Sequence, residues 1–346
     1  MGDRRDKMLK LSIIIPVYKV AEFIASTVQS LLCQHDPAVE YIFVNDGTPD
    51  ASWQILQDTL QKYPECTAAC KLIQLPENGG VENARMTGLA QAAGEYIWFV
   101  DSDDLIAEGA IKAVLLTLQK NPVDYLAIRF QTLQPEEKIH PLDKNFAISQ
   151  LPVSELVSAI LSYTGSFQAA WGNIVKRQLT VDHPMQKTNL KIAEDYVMHC
   201  CWSIFAESAA VLETPVYGYV IRPQSAMNQS QNQDVMKATK QAFQKLSEFS
   251  KILPEKKQQL FCSKLQFTAA KMRMLFFIDI LNNHDRSEFK ELMQYQVEAK
   301  YSLLKDIWKL PLELQPIMFC DRLKCYGIMR CYTITARKLK QLFYRG

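Results

Sequence analysis

Short runs that are apolar nearly throughout punctuate the first third of the chain, at 11–17, 41–44, 71–75 and 96–100. Between them, stretches with apolar residues every third or fourth position predict helices over 21–33, 51–63, 81–92 and 108–120. The order is βαβαβαβα. Strands that are apolar throughout, rather than alternating, are buried on both faces, which predicts a mostly parallel sheet covered by helices. From 121 to 228 the alternation lapses: strands are predicted at 125–131 and 217–222, helices at 153–163 and 193–206, as the second half of one α/β domain. Beyond residue 229 strand signals stop, and helices are predicted over 234–253, 255–282, 287–300 and 323–344. The expectation is an α/β domain over 1–228, divided near residue 120, followed by a C-terminal α-helical appendage over 229–346.

Sheets of this kind bind ligands at the carboxyl ends of their strands. Those ends read Pro16-Val17-Tyr18, Asn45-Asp46-Gly47-Thr48-Pro49-Asp50, Glu77-Asn78-Gly79-Gly80 and Asp101-Ser102-Asp103-Asp104. Any one of them is also an ordinary turn or helix cap; four along one edge favour a binding site. Three carboxylates in four positions repel one another unless a cation intervenes. Mg²⁺ and Mn²⁺ take oxygen ligands, and Mg²⁺ is commonly held by one or two carboxylates together with substrate phosphates. Asp101 and Asp103 in a D-x-D turn suit such a site, and Ser102 or Asp103 equally suits the cap of a helix starting near Leu105.

The segments SIIIPVYKVAEFIASTVQSLLCQ, YIFVNDGTPDAS and ENGGVENARMTGLAQAAGEYIWFVDSDD resemble the nucleotide-sugar-binding half of the family 2 inverting glycosyltransferases, which have the GT-A fold. The likeness is continuous over about 11–120 and weaker to about 228, through Trp171-Gly172-Asn173, Glu194-Asp195 and Tyr217 to Arg222. It implies that Pro16, Val17 and Tyr18 cradle the donor base, usually uracil, and that Asp46 reads the base edge. It implies that Arg85 lies near the diphosphate or Asp101, and that Asp101 is the ribose-side carboxylate; Gly80, which allows close backbone approach, and Ser102 are further candidates for donor binding. Asp103 matches the ligand of Mn²⁺ or Mg²⁺. Asp195 of the Glu194-Asp195 pair matches the catalytic base, and direct displacement requires such a base on the face opposite the departing nucleotide. Secondary candidates for acceptor or donor contacts are Asp104, Trp171, Glu194 and Arg222. Two positions depart from the family pattern: Met86 stands where asparagine is usual after the arginine, and Lys19 where asparagine is usual after the tyrosine.

Composition narrows the partners. Thirty-nine basic residues against 37 acidic leave a net charge of +2, without the polycationic surface that nucleic-acid binding needs. The surplus gathers in 311–346, where seven basic residues face two acidic ones, interleaved with Leu323, Tyr326, Ile334, Leu339, Leu342 and Phe343. Such a helix suits either the surface of an anionic membrane or packing on the protein with a solvated basic face. Nine cysteines without metal-ligand spacing predict reduced core thiols. No apolar run approaches the roughly 20 residues of a membrane span, and the apolar run before Pro16 is too short for a signal peptide. The expected location is therefore the cytoplasm, with peripheral contact at the inner membrane face. The resemblance implies a metal-dependent hexosyltransferase of the inverting type, passing a sugar from a nucleotide diphosphate donor to a glycan or lipid-linked saccharide. The alternative is a non-catalytic nucleotide-sugar-binding scaffold on the same fold.

Overall fold

The computed structural model describes residues 10–142, 146–162, 167–222, 232–265 and 268. The chain divides into two compact units, Met1–Ser230 and Gln231–Gly346. In the first, strands β1 (Leu11–Val17), β2 (Val39–Asn45), β3 (Cys70–Gln74) and β4 (Tyr96–Phe99) alternate with helices α1 (Ile24–Leu32), α2 (Ser52–Leu60) and α3 (Val81–Ala90). These four strands are mutually parallel in the order β3-β2-β1-β4. Every residue of β1, β2 and β4 is buried, and Ser12, Glu40 and Asn45 are the polar exceptions in their apolar runs. Strand β3 forms the sheet edge and is largely exposed.

The second half departs from the expected parallel arrangement. After β5 (Leu105–Ile106) and α4 (Ala110–Lys120) come β6 (Tyr125–Leu133), β7 (Ile148–Gln150), α5 (Val153–Leu161), β8 (Asn173–Lys176), α6 (Arg177–Asp182), α7 (Glu194–Ser203) and β9 (Ala209–Val220). Strand β8 enters antiparallel between β4 and β6, β9 runs parallel to β6, and both β5 and β7 pair antiparallel with β9. The sheet is thus mixed, with nine strands. Strands β5, β7 and β8 have two to four residues, too short to show a period. Strand β9 begins eight residues before the predicted start because its Ala209–Leu212 portion also reads as a buried apolar segment.

Register sets the binding edge. Val17 lies opposite Asn45, and Asn45 opposite Gln74, so the first three strands end level. Strand β4 is offset: Phe99 pairs with Ile14, and Val100 N–H donates to the Ile14 carbonyl at 3.0 Å. The acidic turn therefore leaves the sheet before β1 ends. In the second unit, α8 spans Asn232–Ser250, and the chain is helical again from 255 to 265. The predicted helices at 287–300 and 323–344 and the basic tail lie outside the described residues. Among the described residues no helix is long and apolar enough to cross a membrane.

Candidate active site

At the level ends of β1 to β3, Pro16 and Val17 are buried and Tyr18 stands 36% exposed, its ring available to a flat ligand. Lys19 takes a left-handed backbone with φ of +53°, and its N–H donates to Thr48 Oγ1 at 2.8 Å. Asparagine tolerates that conformation better than other non-glycine residues, which gives a physical reason for the family's usual residue there. The Lys19 ammonium lies 5.3 Å from the centre of the Tyr18 ring. Asp46 is buried, and its Oδ1 accepts from Gly79 N–H at 2.8 Å, tying the end of β2 to the glycine loop. Gly80 caps α3 with φ of +85°, and a Cβ there would meet nothing within 4 Å. The side of the loop that a ligand would approach is open, and the N–H groups of the first helical turn lie behind it.

The acidic turn is braced from behind. Asp104 is 1% exposed; its Oδ2 accepts from Tyr217 Oη–H at 2.6 Å and its Oδ1 from Val220 N–H at 2.8 Å. Burial and the Asp101 charge push its carboxyl up to about 8, against those hydrogen bonds. Asp104 is therefore a brace between the turn and β9. Tyr217 Oη also accepts from Asp101 N–H at 3.2 Å, so one hydroxyl holds both ends of the turn. Ser102 is buried, its carbonyl accepting from Thr27 Oγ1–H at 3.0 Å.

Asp101, Asp103 and Asp104 bring one oxygen each within 4.8 Å of one another, a spacing that accommodates a cation. With Asp104 engaged behind, Asp101 and Asp103 are the pair that fits a metal shared with phosphates. Asp103 is ion-paired with Arg222, whose guanidinium also lies 5.0 Å from the centre of the Phe23 ring. The secondary candidate Arg222 thus sits directly at the acidic turn, at the end of β9.

Trp171 is not an open platform for a sugar. Its ring stacks on Tyr217 at 4.5 Å and 7°, and lies 5.8 Å from Tyr219 at 21°, with Phe130 edge-on at 5.0 Å. It is 8% exposed and serves as the packing behind Tyr217. Tyr217 braces the acidic turn, a role that the sequence reading did not single out. Its signal was the alternation Tyr217-Gly218-Tyr219, which puts both rings on one face of a strand. Tyr217→Phe is expected to lower stability by about 1–3 kcal/mol, the cost of leaving buried partners unpaired, as a lower urea midpoint with an unchanged slope.

Arg85 links the two halves of the site. Wholly buried on α3, it donates from Nη2 to Asp101 Oδ1 at 2.8 Å and from Nη1 to Glu194 Oε1 at 2.9 Å. Burial disfavours its charge, and the surrounding carboxylates more than offset this, so its pKa moves up. Burial, then the Asp195 charge, push Glu194 up to about 8 against the pull of Arg85. Asp195 is also raised by burial, against Arg85 and the Tyr196 N–H that its Oδ1 accepts at 2.8 Å. It retains partial exposure where Glu194 does not. Both begin α7, after Ala193 in a left-handed conformation with φ of +68°. His199, one turn on, is buried, bonded through Nδ1 to Tyr125 Oη and lowered to about 3 by burial. It is a neutral core residue.

The chain matches the family model "Glycosyl transferase family 2" over residues 12–209. Among curated proteins it is 29% identical over 224 residues to the uncharacterized glycosyltransferase EpsJ of Bacillus subtilis, covering 62% of each chain. It is 29% identical over 311 residues to the minor teichoic acid biosynthesis protein GgaB of the same organism, which is 87% of this chain and 30% of GgaB. The chain thus spans less than two thirds of both relatives. Among solved structures, residues 1–349 of Staphylococcus aureus TarS in complex with UDP-GlcNAc superpose with a TM-score of 0.70 at 21% identity, covering 95% of this chain and 92% of that one.

Proposed function

The chain belongs to glycosyltransferase family 2, and from that premise we propose that it transfers a sugar from a UDP-linked donor to a hydroxyl of a glycan or lipid-linked saccharide, inverting the anomeric centre. One observation carries the reading: a buried arginine ties the donor-side Asp101 to the helix that begins with Glu194 and Asp195. Nucleotide edge and base are thereby held as one unit. The TarS structure with UDP-GlcNAc and the teichoic-acid assignment of GgaB support the donor and acceptor classes.

In this reading Tyr18 packs against the base, Asp46 accepts from its imino N–H, and the Gly79–Gly80 loop admits the diphosphate to the start of α3. Asp101 and Asp103 would hold Mn²⁺ or Mg²⁺, which supplies positive charge to the departing diphosphate. Asp195, partly exposed and held at the start of α7, takes the proton of the acceptor hydroxyl. Its raised pKa keeps it a competent base while moving its titration upward, so transfer increases as pH rises through that value. A lipid-linked acceptor would place the enzyme at a membrane surface, where the basic tail beyond residue 311 finds anionic headgroups.

The test is a donor screen against an undecaprenyl-linked or polyol-phosphate acceptor with Mn²⁺ or Mg²⁺. Transfer from a UDP-sugar, lost on chelation and restored by the metal, is the expected result. Asp103→Ala should bind Mn²⁺ and UDP together at least about 10-fold more weakly, in line with the loss of one charge-assisted contact, as measured by calorimetry. A donor bound with equal affinity with and without metal would overturn the cation assignment.

A further inference from the structure

Helix α3 grips the polypeptide before α7 at a second point. The Glu82 carboxylate accepts three hydrogen bonds from one short segment: Thr188 N–H at 2.6 Å to Oε1, Thr188 Oγ1–H at 2.9 Å to Oε2 and Asn189 N–H at 3.0 Å to Oε2. Thr188 Oγ1 in turn accepts from Leu190 N–H at 3.2 Å, and Thr188 and Leu190 are buried. Next to this clamp, Lys187 Nζ donates to Asn83 Oδ1 at 3.2 Å. Glu82 and Arg85 stand three apart on one helical face, so α3 holds the 188–190 segment with one side chain and Glu194 with the other.

The strap between these two points has a particular need of being held. Ala193 has a left-handed backbone, with φ of +68°, which an alanine keeps only where surrounding structure enforces it; Asn189, at +56°, takes a conformation that asparagine tolerates. A cleft next to the strap is lined by Met86, Met185 and Met198 together with Glu82, Arg85 and Glu194. Methionines adapt to many arrangements and specify none strongly. The hydrogen bonds to Glu82 add the directional restraint that this packing lacks.

We propose that Glu82 is a positioning residue for the transfer reaction. By clamping Thr188 and Asn189 to the helix that carries Arg85, it fixes the strap leading into α7 and so the placement of Asp195 relative to the donor edge. The catalytic half of this statement rests on Asp195 being the base; the clamp itself does not.

The experiment compares Glu82→Ala, Glu82→Gln and wild type by amide hydrogen exchange with mass spectrometry, by UDP calorimetry and by steady-state transfer. The clamp predicts faster exchange confined to 186–196 in Glu82→Ala, with UDP affinity within twofold of wild type. Glu82→Gln, whose amide oxygen accepts a backbone N–H and whose NH₂ donates to Thr188 Oγ1, falls between the two. For positioning, the expectation is a kcat lowered by about 10- to 100-fold, the scale of a misplacement near 1 Å, with donor KM little changed and partial recovery in Glu82→Gln. Unchanged exchange across 186–196 in Glu82→Ala overturns the clamp whatever the enzyme transfers. Accelerated exchange with wild-type kcat upholds the clamp and overturns the positioning role. Normal donor binding with accelerated exchange, in a wild type that transfers no sugar, upholds the clamp and assigns the failure to the proposed reaction.

Discussion

Asp195→Asn is expected to bind a UDP-sugar as the wild type does and to transfer it about 10²–10⁴-fold more slowly, the contribution of a positioned general base. The change preserves shape and removes only the proton acceptor. The Tyr196 N–H that now meets Asp195 Oδ1 meets the asparagine carbonyl oxygen instead, so α7 keeps its first turn. Binding is spared because the groups proposed for the nucleotide belong to the ends of β1 to β4 and the start of α3, none of which the substitution touches. Calorimetry with the donor and single-turnover transfer separate the two effects. The pH profile adds an independent check: the wild-type rate rises through the raised Asp195 titration, whereas the residual rate of Asp195→Asn loses that dependence.

Arg85→Met removes the cation at the centre of the site and is expected to cost about 3–5 kcal/mol, the range for stripping one partner from a buried ion pair. Methionine fills much of the same volume, so the loss reports charge and hydrogen bonding. Glu194 and Asp101 each lose a partner at 2.9 and 2.8 Å, and Asp195 stands beside them without compensation. The effect depends on pH in a definite direction. Burial raises Glu194 from 4.5 to about 8, so above pH 4.5 the folded state holds a proton that the unfolded chain releases, and stability falls as pH rises toward 8. Without Arg85, which pulls Glu194 down, the fall continues above pH 8. Urea midpoints at pH 5 and pH 9 should therefore lie farther apart in the variant than in wild type. Arg85→Lys, with a single ammonium in place of a fork, cannot reach both carboxylates in the same geometry and should recover only part of the loss.

The donor half was legible because buried parallel strands announce themselves. The runs at 11–17 and 96–100 have no polar interruption except Ser12, which spends its hydroxyl on Glu40 Oε1 at 2.6 Å, and the helices between them carry clear periodicity. The charged turn behind β4 could be read as a ligand site on the same grounds. The second half resisted because β5, β7 and β8 are short and pair antiparallel with partners distant in sequence: β8 inserts between β4 and β6, which lie far from it along the chain. Side-chain roles there depend on that pairing. Asp104 and Trp171 illustrate it: a carboxylate in an acidic turn reads as a ligand contact or a cap, and an aromatic before a strand as a sugar platform or a core residue, and β9 brings Tyr217 against each of them. Glu82 illustrates the converse, since nothing local in Gly80-Val81-Glu82 indicates that the segment over a hundred residues later folds onto it.

Direct displacement by an acceptor activated at Asp195 has a stereochemical consequence that no binding measurement can imitate. Proton NMR of the product formed from a UDP-sugar with an α-linked donor reads the new anomeric centre. A β-linked product, formed by wild type and about 10²–10⁴-fold more slowly by Asp195→Asn, is the predicted result. An α-linked product would contradict single displacement, and with it the assignment of Asp195 as the base.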